Sequence, residues 1–304
     1  MTFKTFTYLA ALSFALASEW DYKGLGPDFW IREFPSCAGK LQSPINIKQT
    51  KAVFDPKLNH VNFHNYDWLL YWNVTNSGKT IMVNQIFNES LTPYITGSDF
   101  GDKYYLNQFH FHWGFNIFQG SEHLLDYQKF PLEVHLVHIN ENNEKAVISF
   151  LFQISERDNE NIQTLVDKAS LDFSDSDYHV IKFSLNLLVP RNEILKKEGY
   201  FRYIGSLTTP PCSEGVKWTV FRTKINISEA QMEKFYKNEI DFNNREVQEL
   251  NNRGLFTNVQ HDLGKKTNIN NFDSFFKILF FKSKSSTSVN LNVYNFTVLL
   301  KKGN

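Results

Sequence analysis

Six short extended runs constrain the fold of this chain more than any other feature. They cover residues 69–74, 80–86, 106–113, 132–139, 146–154 and 216–221. Several are apolar at nearly every position, which is typical of central strands that are buried on both faces. The composition favours the same fold class, because aromatic residues make up 16% of the chain and pack well on pleated sheets.

Helical periodicity is weaker and is clearest in two segments, 160–169 and 228–237. In the second, we expect Ser228 to cap the helix and Glu229 to lie in its first turn. The sequence therefore predicts a mainly β domain with peripheral short helices. No internal repeat or linker is evident before about residue 270. Acidic and basic residues balance at 32 each, so nothing indicates the clustered positive charge of a nucleic-acid surface.

The first 17 residues have the pattern of a signal peptide. Lys4 provides the positive start, residues 8–16 are largely apolar, and small residues precede the predicted cleavage after Ala17. The alternative is a buried N-terminal helix. We expect the domain to cover residues 18–270 of an exported, secreted or extracellular protein.

Residues 271–304 form a C-terminal extension of unknown role. Its apolar part is interrupted by Asp273 and Lys277, so it is too short to be a transmembrane segment. A lipid anchor would need a final apolar tail, whereas this chain ends in a polar, lysine-containing sequence. A lipid anchor therefore stays a minor alternative.

The two cysteines, Cys37 and Cys212, are an even number, which in an exported chain indicates a disulfide. Two unrelated buried thiols are the alternative. Four acceptor triplets for N-glycosylation give mild further support for export. They begin at Asn73, Asn88, Asn226 and Asn295.

Two of the nine histidines, His110 and His112, alternate along one extended run. Positions i and i+2 of a strand project from the same face. The two imidazoles should therefore lie side by side, with Phe109, Phe111 and Trp113 on the opposite face. An alternating histidine pair of this kind is typical of metal sites, although buried histidines are also common structural residues.

A third imidazole, His135, can come from the matching face of the run 132–139. Three neutral nitrogens at about 2.0–2.1 Å leave one tetrahedral position open, which is the pattern of catalytic Zn²⁺. The pair also occurs in cupin barrels that bind iron or manganese. That interpretation is weaker, because Phe115 and Asn116 stand where such barrels usually carry a glutamate.

Five further histidines are interpreted as structural residues of a β core. They are His60, His64, His138, His179 and His261.

Seven segments together give the sequence a specific resemblance. They are 20–22, 26–30, 42–47, 108–114, 120–123, 133–140 and 205–211. In order and spacing they resemble the α-class carbonic anhydrases, of the extracellular disulfide-bonded type, from about residue 20 to about residue 266. The resemblance implies a central twisted, mostly antiparallel sheet with zinc at the bottom of a cleft. It also implies reversible hydration of carbon dioxide to bicarbonate and a proton by a zinc-bound hydroxide.

The resemblance implies roles for individual residues around the metal. His110, His112 and His135 match the zinc ligands. Thr208 matches the threonine that accepts a hydrogen bond from the hydroxide, and Glu122 matches the carboxylate that receives the threonine's proton. Gln108 and Glu133 match the hydrogen-bond partners of His110 and His135.

Further residues match the substrate pocket and the cysteine pair of the family. The pocket residues are Val137, Val147, Leu207, Thr209 and Trp218. Cys37 and Cys212 match the disulfide of the extracellular members. Without the resemblance, the apolar pocket residues would be interpreted as ordinary core.

The sequence departs from the family pattern at three positions. Lys79 stands where fast members carry a proton-shuttling histidine, and lysine, with a reference pKa of about 10.4, is a poor shuttle at neutral pH. Met82 replaces a polar cleft residue, and Gln260 replaces a usual arginine. We therefore expect proton release to limit turnover.

Two other functions are compatible with the same fold. A non-catalytic binding or matrix module could use the same fold, but such relatives typically lose metal histidines, and all three are present here. Ester hydrolysis would be a side reaction of the same site. The expected partners are the small molecules carbon dioxide and bicarbonate; the sequence does not indicate an oligomeric state.

Overall fold

A computed structural model describes residues 20–24, 26–86, 89–171 and 179–260. Several sequence predictions lie outside the described residues: the signal peptide, the C-terminal extension, Asn88, His261 and Asn295.

Strands dominate the described part of the chain. They are β1 (Asn46–Ile47), β2 (Val53–Phe54), β3 (Val61–His64), β4 (Leu70–Asn76), β5 (Ile81–Gln85), β6 (Tyr94–Gly97), β7 (Tyr104–Trp113), β8 (Leu124–Leu125), β9 (Leu132–Ile139), β10 (Lys145–Ser155), β11 (His179–Phe183), β12 (Tyr200–Ser206), β13 (Glu214–Phe221), β14 (Ile225–Ser228) and β15 (Phe256–Thr257). The α-helices are α1 (Trp30–Glu33), α2 (Gln163–Val166), α3 (Asn192–Glu198) and α4 (Glu229–Tyr236). Short 3₁₀ turns cover Pro35–Ala38, Gln49–Lys51, Glu89–Leu91, Glu160–Ile162 and Leu185–Leu187.

Thirteen strands form one mixed sheet. Its main order is β11-β4-β5-β7-β9-β10-β13-β12-β15-β2, while β14 pairs with β10, and β6 joins β3 to β7. Most neighbouring pairs are antiparallel; the exceptions within this sheet are β10–β13, β10–β14 and β15–β2. The prediction of a mainly β fold with a mostly antiparallel central sheet is therefore confirmed.

All six predicted extended runs are strands, with ends that differ by at most two residues. Strand β10 is apolar at most positions because both of its sheet faces are covered. In β10, Ile148 and Phe150 pack into the larger hydrophobic core on one face, whereas Val147 and Leu151 pack into a second core on the other. The second core lies on the face that carries the histidines.

Of the two predicted helices, the second is found as predicted at its start and the first is not. Segment 160–169 is not one helix but a 3₁₀ turn followed by the four-residue α2, so that prediction was too long. The start of α4 is as predicted. Ser228 accepts a hydrogen bond from the backbone N–H of Gln231, and the Gln231 side chain returns to the Ser228 backbone in a capping box.

Three histidines interpreted as core residues also differ in their surroundings. His138 is buried and hydrogen-bonded to the Tyr66 hydroxyl at 2.7 Å, as expected for a structural histidine. His64 is partly buried and stacks on Tyr94 with ring centroids 4.4 Å apart. His60 is exposed, so its assignment to the core was wrong; it lies in a loop just before β3.

Cys37 and Cys212 form the predicted disulfide, with an S–S distance of 2.03 Å. It connects the 3₁₀ turn after α1 to the segment between β12 and β13, and it packs with Tyr22 and Trp30. Among the described residues, no helix is long and apolar enough to cross a bilayer.

Candidate functional site

Three histidine side chains meet on one face of the sheet, where β7 and β9 lie side by side. His110 and His112 project from the same face of β7, and the antiparallel register places His135 directly opposite His110. One ring nitrogen from each histidine lies within 4.8 Å of those of the other two. His112 and His135 are buried, and His110 is partly exposed.

The other ring nitrogens have acceptors that fix their orientation. His110 Nδ1 donates to Gln108 Oε1 at 2.8 Å, and His135 Nε2 donates to Glu133 Oε1 at 2.8 Å. Both partners were expected from the sequence. In each neutral imidazole, the nitrogen that does not donate keeps its lone pair free for a metal.

His112 has a partner that the sequence did not indicate. Its Nδ1 donates to the main-chain oxygen of Asn243 at 2.7 Å. Because that acceptor has no proton to give, Nε2 of the neutral ring carries the free lone pair. This atom is buried and has no hydrogen-bond partner among the described residues.

The site keeps its imidazoles neutral, which is the state that binds metals. Burial lowers the pKa of His112 to about 4. Desolvation, together with the two neighbouring imidazoles, holds the pKa of His110 well below its ordinary value. Burial also lowers the pKa of His135, against the opposing effect of Glu133.

Glu133 is a buried carboxylate that accepts five hydrogen bonds. Its Oε2 accepts from the backbone N–H groups of Glu122 and His123 at 2.9 and 2.8 Å. Its Oε1 accepts from His123 Nδ1, His135 Nε2 and Ser149 Oγ at 2.7, 2.8 and 2.6 Å. Although burial acts to raise its pKa, these histidine contacts hold the pKa well below the ordinary value. Glu133 is therefore ionised at neutral pH.

Glu122, in the loop before β8, contacts the segment around Arg245 and lies close to His112 and His135. Its Oε1 accepts from the Arg245 backbone N–H at 2.8 Å. Burial raises the Glu122 pKa to about 7, while interaction with the Thr208 side chain lowers it. Thr208 is buried, and its side chain forms a hydrogen bond with Glu122. The expected Glu122–Thr208 pair is therefore brought together next to the histidines.

The atoms left without partners suit a cation. Glu122 Oε2 is buried without a hydrogen bond among the described residues and lies 3.4 Å from His112 Nε2 and 3.8 Å from His135 Nδ1. Buried polar atoms normally have partners. A cation at the three nitrogens would occupy their lone pairs and keep Glu122 ionised. Three neutral imidazoles are also a donor set that Zn²⁺ prefers, so the residues present fit this metal.

A second group of possible ligands, His123, Glu133 and His135, shares two residues with the first. Both ring nitrogens of His123 already have partners: Nδ1 contacts Glu133, and Nε2 contacts the Tyr203 hydroxyl at 2.7 Å. His123 therefore has no free lone pair for a metal and serves to hold Glu133.

An apolar wall adjoins the histidines. Val137 follows His135 on the same face of β9, and Val147 pairs with Val137 on one side and with Trp218 on the other. These side chains belong to the second core, and Leu207 packs against it. Thr209 is partly exposed next to Thr208. The predicted pocket residues are thus contiguous.

The positions that depart from the family pattern lie at and beyond this face. Met82 on β5 pairs with His110, so its side chain lies on the histidine face. Lys79 lies in the turn before β5, and its Nζ is 5.0 Å from the centre of the Trp20 ring. Gln260 is the last described residue and is exposed.

Roles for Asn243, His123 and Arg245 were not predicted from the sequence. Arg245 is buried, and its guanidinium donates to Gln42 Oε1 and to the main-chain oxygens of Ser43 and Cys37. His123 had a usable signal, since it follows Glu122 directly in a matching segment. Asn243 and Arg245 belong to the polar loop segment 243–246, which has no periodic pattern that singles them out.

Comparison with known proteins agrees with this geometry. A family model described as eukaryotic-type carbonic anhydrase matches residues 25–259. Mouse carbonic anhydrase 6 is 32% identical over 252 residues, covering 76% of each chain. Rabbit carbonic anhydrase 4 is 34% identical over 257 residues, covering 78% of this chain and 80% of the relative. A Caenorhabditis elegans protein named putative carbonic anhydrase 3 is 32% identical, covering 79% of this chain and 98% of the relative. The chain therefore belongs to the eukaryotic-type carbonic anhydrase family.

Proposed function

We propose that this protein catalyses the reversible hydration of carbon dioxide, with Zn²⁺ held by His110, His112 and His135. The observation that carries the proposal is the convergence of three neutral imidazoles whose opposite nitrogens are already engaged. A non-catalytic relative would need no such arrangement. Family membership supports the same reaction.

Zinc bound to three neutral imidazoles would lower the pKa of a water molecule from about 15.7 to about 7, which supplies a nucleophile at neutral pH. Neutral ligands suit this task, because thiolates or carboxylates would partly cancel the charge of the ion. Gln108, Glu133 and the Asn243 main-chain oxygen hold the three rings in orientation. Loss of such a partner typically costs about 10–100-fold in metal affinity or activity.

Glu122 and Thr208 orient the reacting water. An ionised carboxylate only accepts hydrogen bonds, so the Thr208 hydroxyl donates its proton to Glu122. The lone pair of the threonine oxygen then faces the histidines and accepts a hydrogen bond from the reacting water. That leaves a free lone pair of the water directed at the substrate carbon.

The apolar wall formed by Val137, Val147, Leu207 and Trp218 would hold carbon dioxide. The substrate is uncharged and accepts hydrogen bonds poorly, so apolar contact suffices to place it. Thr209 contributes a polar group at the edge of this wall. None of the wall residues has to exchange a proton during the reaction.

We also propose that the protein is exported. The disulfide supports this proposal, because such bonds persist in oxidising compartments. Residues 1–17 would be the signal peptide, and residues 18–270 the enzymatic domain. Asn73 and Asn226, the glycosylation acceptors within the described residues, would then meet the glycosylation machinery.

The decisive experiment pairs metal analysis with kinetics. The full chain, secreted from eukaryotic cells, should contain about one zinc per molecule and hydrate carbon dioxide in stopped-flow assays, with inhibition by a sulfonamide. His135→Ala should lose both zinc and activity. The matched control is His138→Gln, three residues further along β9 on the opposite face, which should keep both.

Each result has a clear meaning. Absence of stoichiometric zinc from the wild type would contradict the metal assignment. A zinc-loaded but inert protein would instead favour the non-catalytic binding module.

A further inference from the structure

An open groove of about 880 Å³ lies among residues that take no part in the proposed reaction. It is lined by the segments 155–161 and 186–191, by Ile194, and by the residues Lys224 to Asn226 at the start of β14. The volume falls within the range of about 300–1,000 Å³ that is usual for small-ligand sites. The groove therefore has room for a ligand of several rings.

The charges along the groove cancel. Three acidic side chains are matched by three basic ones: Glu156, Asp158, Glu160, Arg157, Arg191 and Lys224. Four asparagines add neutral donors and acceptors, at positions 159, 161, 186 and 226. A surface that is polar but has no net charge suits a neutral, hydroxyl-rich ligand better than an anion or a cation.

Apolar side chains complete the lining. Leu187 and Ile194 line the groove and are 43% and 41% exposed. Sugar rings carry C–H faces that pack on aliphatic side chains and hydroxyls that bond to amides and charged groups. The groove offers both kinds of contact.

Asn226 connects this groove to a specific occupant. It lines the groove, is exposed, and begins the acceptor triplet that ends at Ser228. Its Oδ1 accepts a hydrogen bond from Gln153 Nε2 at 2.8 Å, and its main-chain oxygen accepts from Asn159 Nδ2 at 2.9 Å. The Gln153 bond orients the side-chain amide and therefore Nδ2, the atom that would carry a glycan.

We propose that the groove holds the protein-proximal sugars of an N-linked glycan on Asn226. In the attachment step, Asn226 Nδ2 forms a bond to the anomeric carbon of a lipid-diphosphate-linked oligosaccharide. One amide proton is released and the lipid diphosphate leaves. The proposal rests on the export proposed above, but it does not depend on zinc or on catalysis.

Covalent attachment explains how an open, shallow site can be occupied. A tether of one or two bonds gives the sugars a high effective concentration at the groove, so contacts that would be too weak for a free saccharide suffice. The tether also lowers the translational and rotational cost of association.

Enzymatic release of the glycan tests the proposal. The full chain is secreted from eukaryotic cells, and glycopeptide mass spectrometry locates the glycans. The rate at which an amidase removes the Asn226 glycan is then compared between native and denatured protein. We expect native release to be slower by about tenfold or more, because the groove shields the proximal sugars.

Two variants separate shielding from attachment. The Leu187→Ser/Ile194→Ser double variant should speed native release while leaving Asn226 occupancy unchanged. The matched control is Lys145→Thr combined with Asn226→Gln, which creates an acceptor triplet at Asn143 in the exposed turn 141–144. A glycan there should leave native and denatured protein at similar rates.

The outcomes are distinguishable. A glycan on Asn226 that is released equally fast from native and denatured protein would overturn the groove assignment and leave the export proposal intact. A glycan on Asn143 but none on Asn226 would also overturn it. Secreted protein with no glycan at either site would overturn the groove assignment and leave the export proposal intact, whereas retention of the unglycosylated chain in the cytosol would contradict both.

Discussion

Nδ1 of His112 donates a hydrogen bond of 2.7 Å to the main-chain oxygen of Asn243, which is 131 residues later in the chain. The Asn243 side chain secures that oxygen. Its Oδ1 accepts from the Trp113 backbone N–H, and its Nδ2 donates to the main-chain oxygens of Phe111 and Lys79. The buried residue Asn243 therefore connects the end of β7, the His112 ring and the turn before β5 through hydrogen bonds.

Asn243→Ala should weaken zinc binding although no ligand is removed. The main-chain oxygen stays, but three hydrogen bonds that position it are lost, so we expect zinc affinity to fall by about 10–100-fold. Competition with a chromophoric chelator measures the effect. Asn142→Ala, in the exposed turn 141–144, is the control. Equal zinc affinity in wild type and Asn243→Ala would show that the ring is held without the amide.

Thr208→Val should keep zinc and lose most of the activity. Valine has nearly the shape of threonine but cannot donate to Glu122 or accept from the reacting water, so we expect the hydration rate to fall by about 100-fold. Stopped-flow hydration and metal analysis check the two parts. Thr209→Val should have a smaller effect. Wild-type turnover in Thr208→Val would mean that the hydroxyl does not orient the water.

Lys79 should make turnover dependent on buffer. Histidine is the side chain that exchanges protons most readily near neutral pH, and Lys79 takes the position expected for it. The Lys79 Nζ lies over the Trp20 ring, 5.0 Å from its centre. We expect the hydration rate to rise with imidazole concentration. Lys79→His should raise the rate at low buffer, whereas Lys51→His, at an exposed position in a 3₁₀ turn, should not. A fast wild-type rate that is insensitive to imidazole would contradict this.

His138 should make the fold sensitive to acid. Burial lowers its pKa from 6.5 to about 3, so below pH 6.5 the unfolded chain binds a proton that the folded chain does not. Its contribution to stability is therefore complete above about pH 6.5 and is lost as the pH falls towards 3. Between pH 7 and pH 5 the loss amounts to about 2 kcal/mol.

Urea unfolding at pH 7 and pH 5, with zinc kept saturating, measures this loss. His138→Gln retains a side chain that can bond to Tyr66 but cannot titrate. Between the two pH values, the free energy of unfolding of this variant should therefore fall by about 2 kcal/mol less than that of the wild type. The same pH dependence in variant and wild type would assign the loss to other groups.

The disulfide should contribute strongly to stability. Its sequence separation of 175 residues makes the closed loop very long, and the chain-entropy model gives about 5 kcal/mol for such a loop. The Cys37→Ser/Cys212→Ser variant should show this loss in urea unfolding, and reduced wild type should match it. A difference of less than about 1 kcal/mol would mean that the unfolded chain is little affected by the cross-link.

The local parts of the fold and site could be predicted from the sequence. The alternation of His110 and His112 with aromatic residues fixes two imidazoles on one face, because the side-chain period of a strand is two. The α4 start was predictable because its cap uses residues three apart. The residues alone did not place His135 opposite His110, since that register depends on which strands are neighbours.

The remaining parts depend on contacts between distant segments. Strand β12 was missed because Arg202 and Gly205 interrupt its apolar pattern; Arg202 is nevertheless buried, bonded to Ser98 and Thr219. Asn243 acts on β7 from a loop without regular structure. Such residues become recognisable only when the partner segment is known.

Glu133 supports two parts of the proposed site, the His135 ring and the backbone of Glu122. The carboxylate that accepts a hydrogen bond from His135 also accepts one from the backbone N–H of Glu122, so the proposed metal ligand and the proposed water-orienting pair share one support. Its five donors come from β9, β10 and the loop before β8. A relative without catalytic activity could keep this carboxylate to satisfy the same five donors, so the presence of the acid alone does not indicate activity.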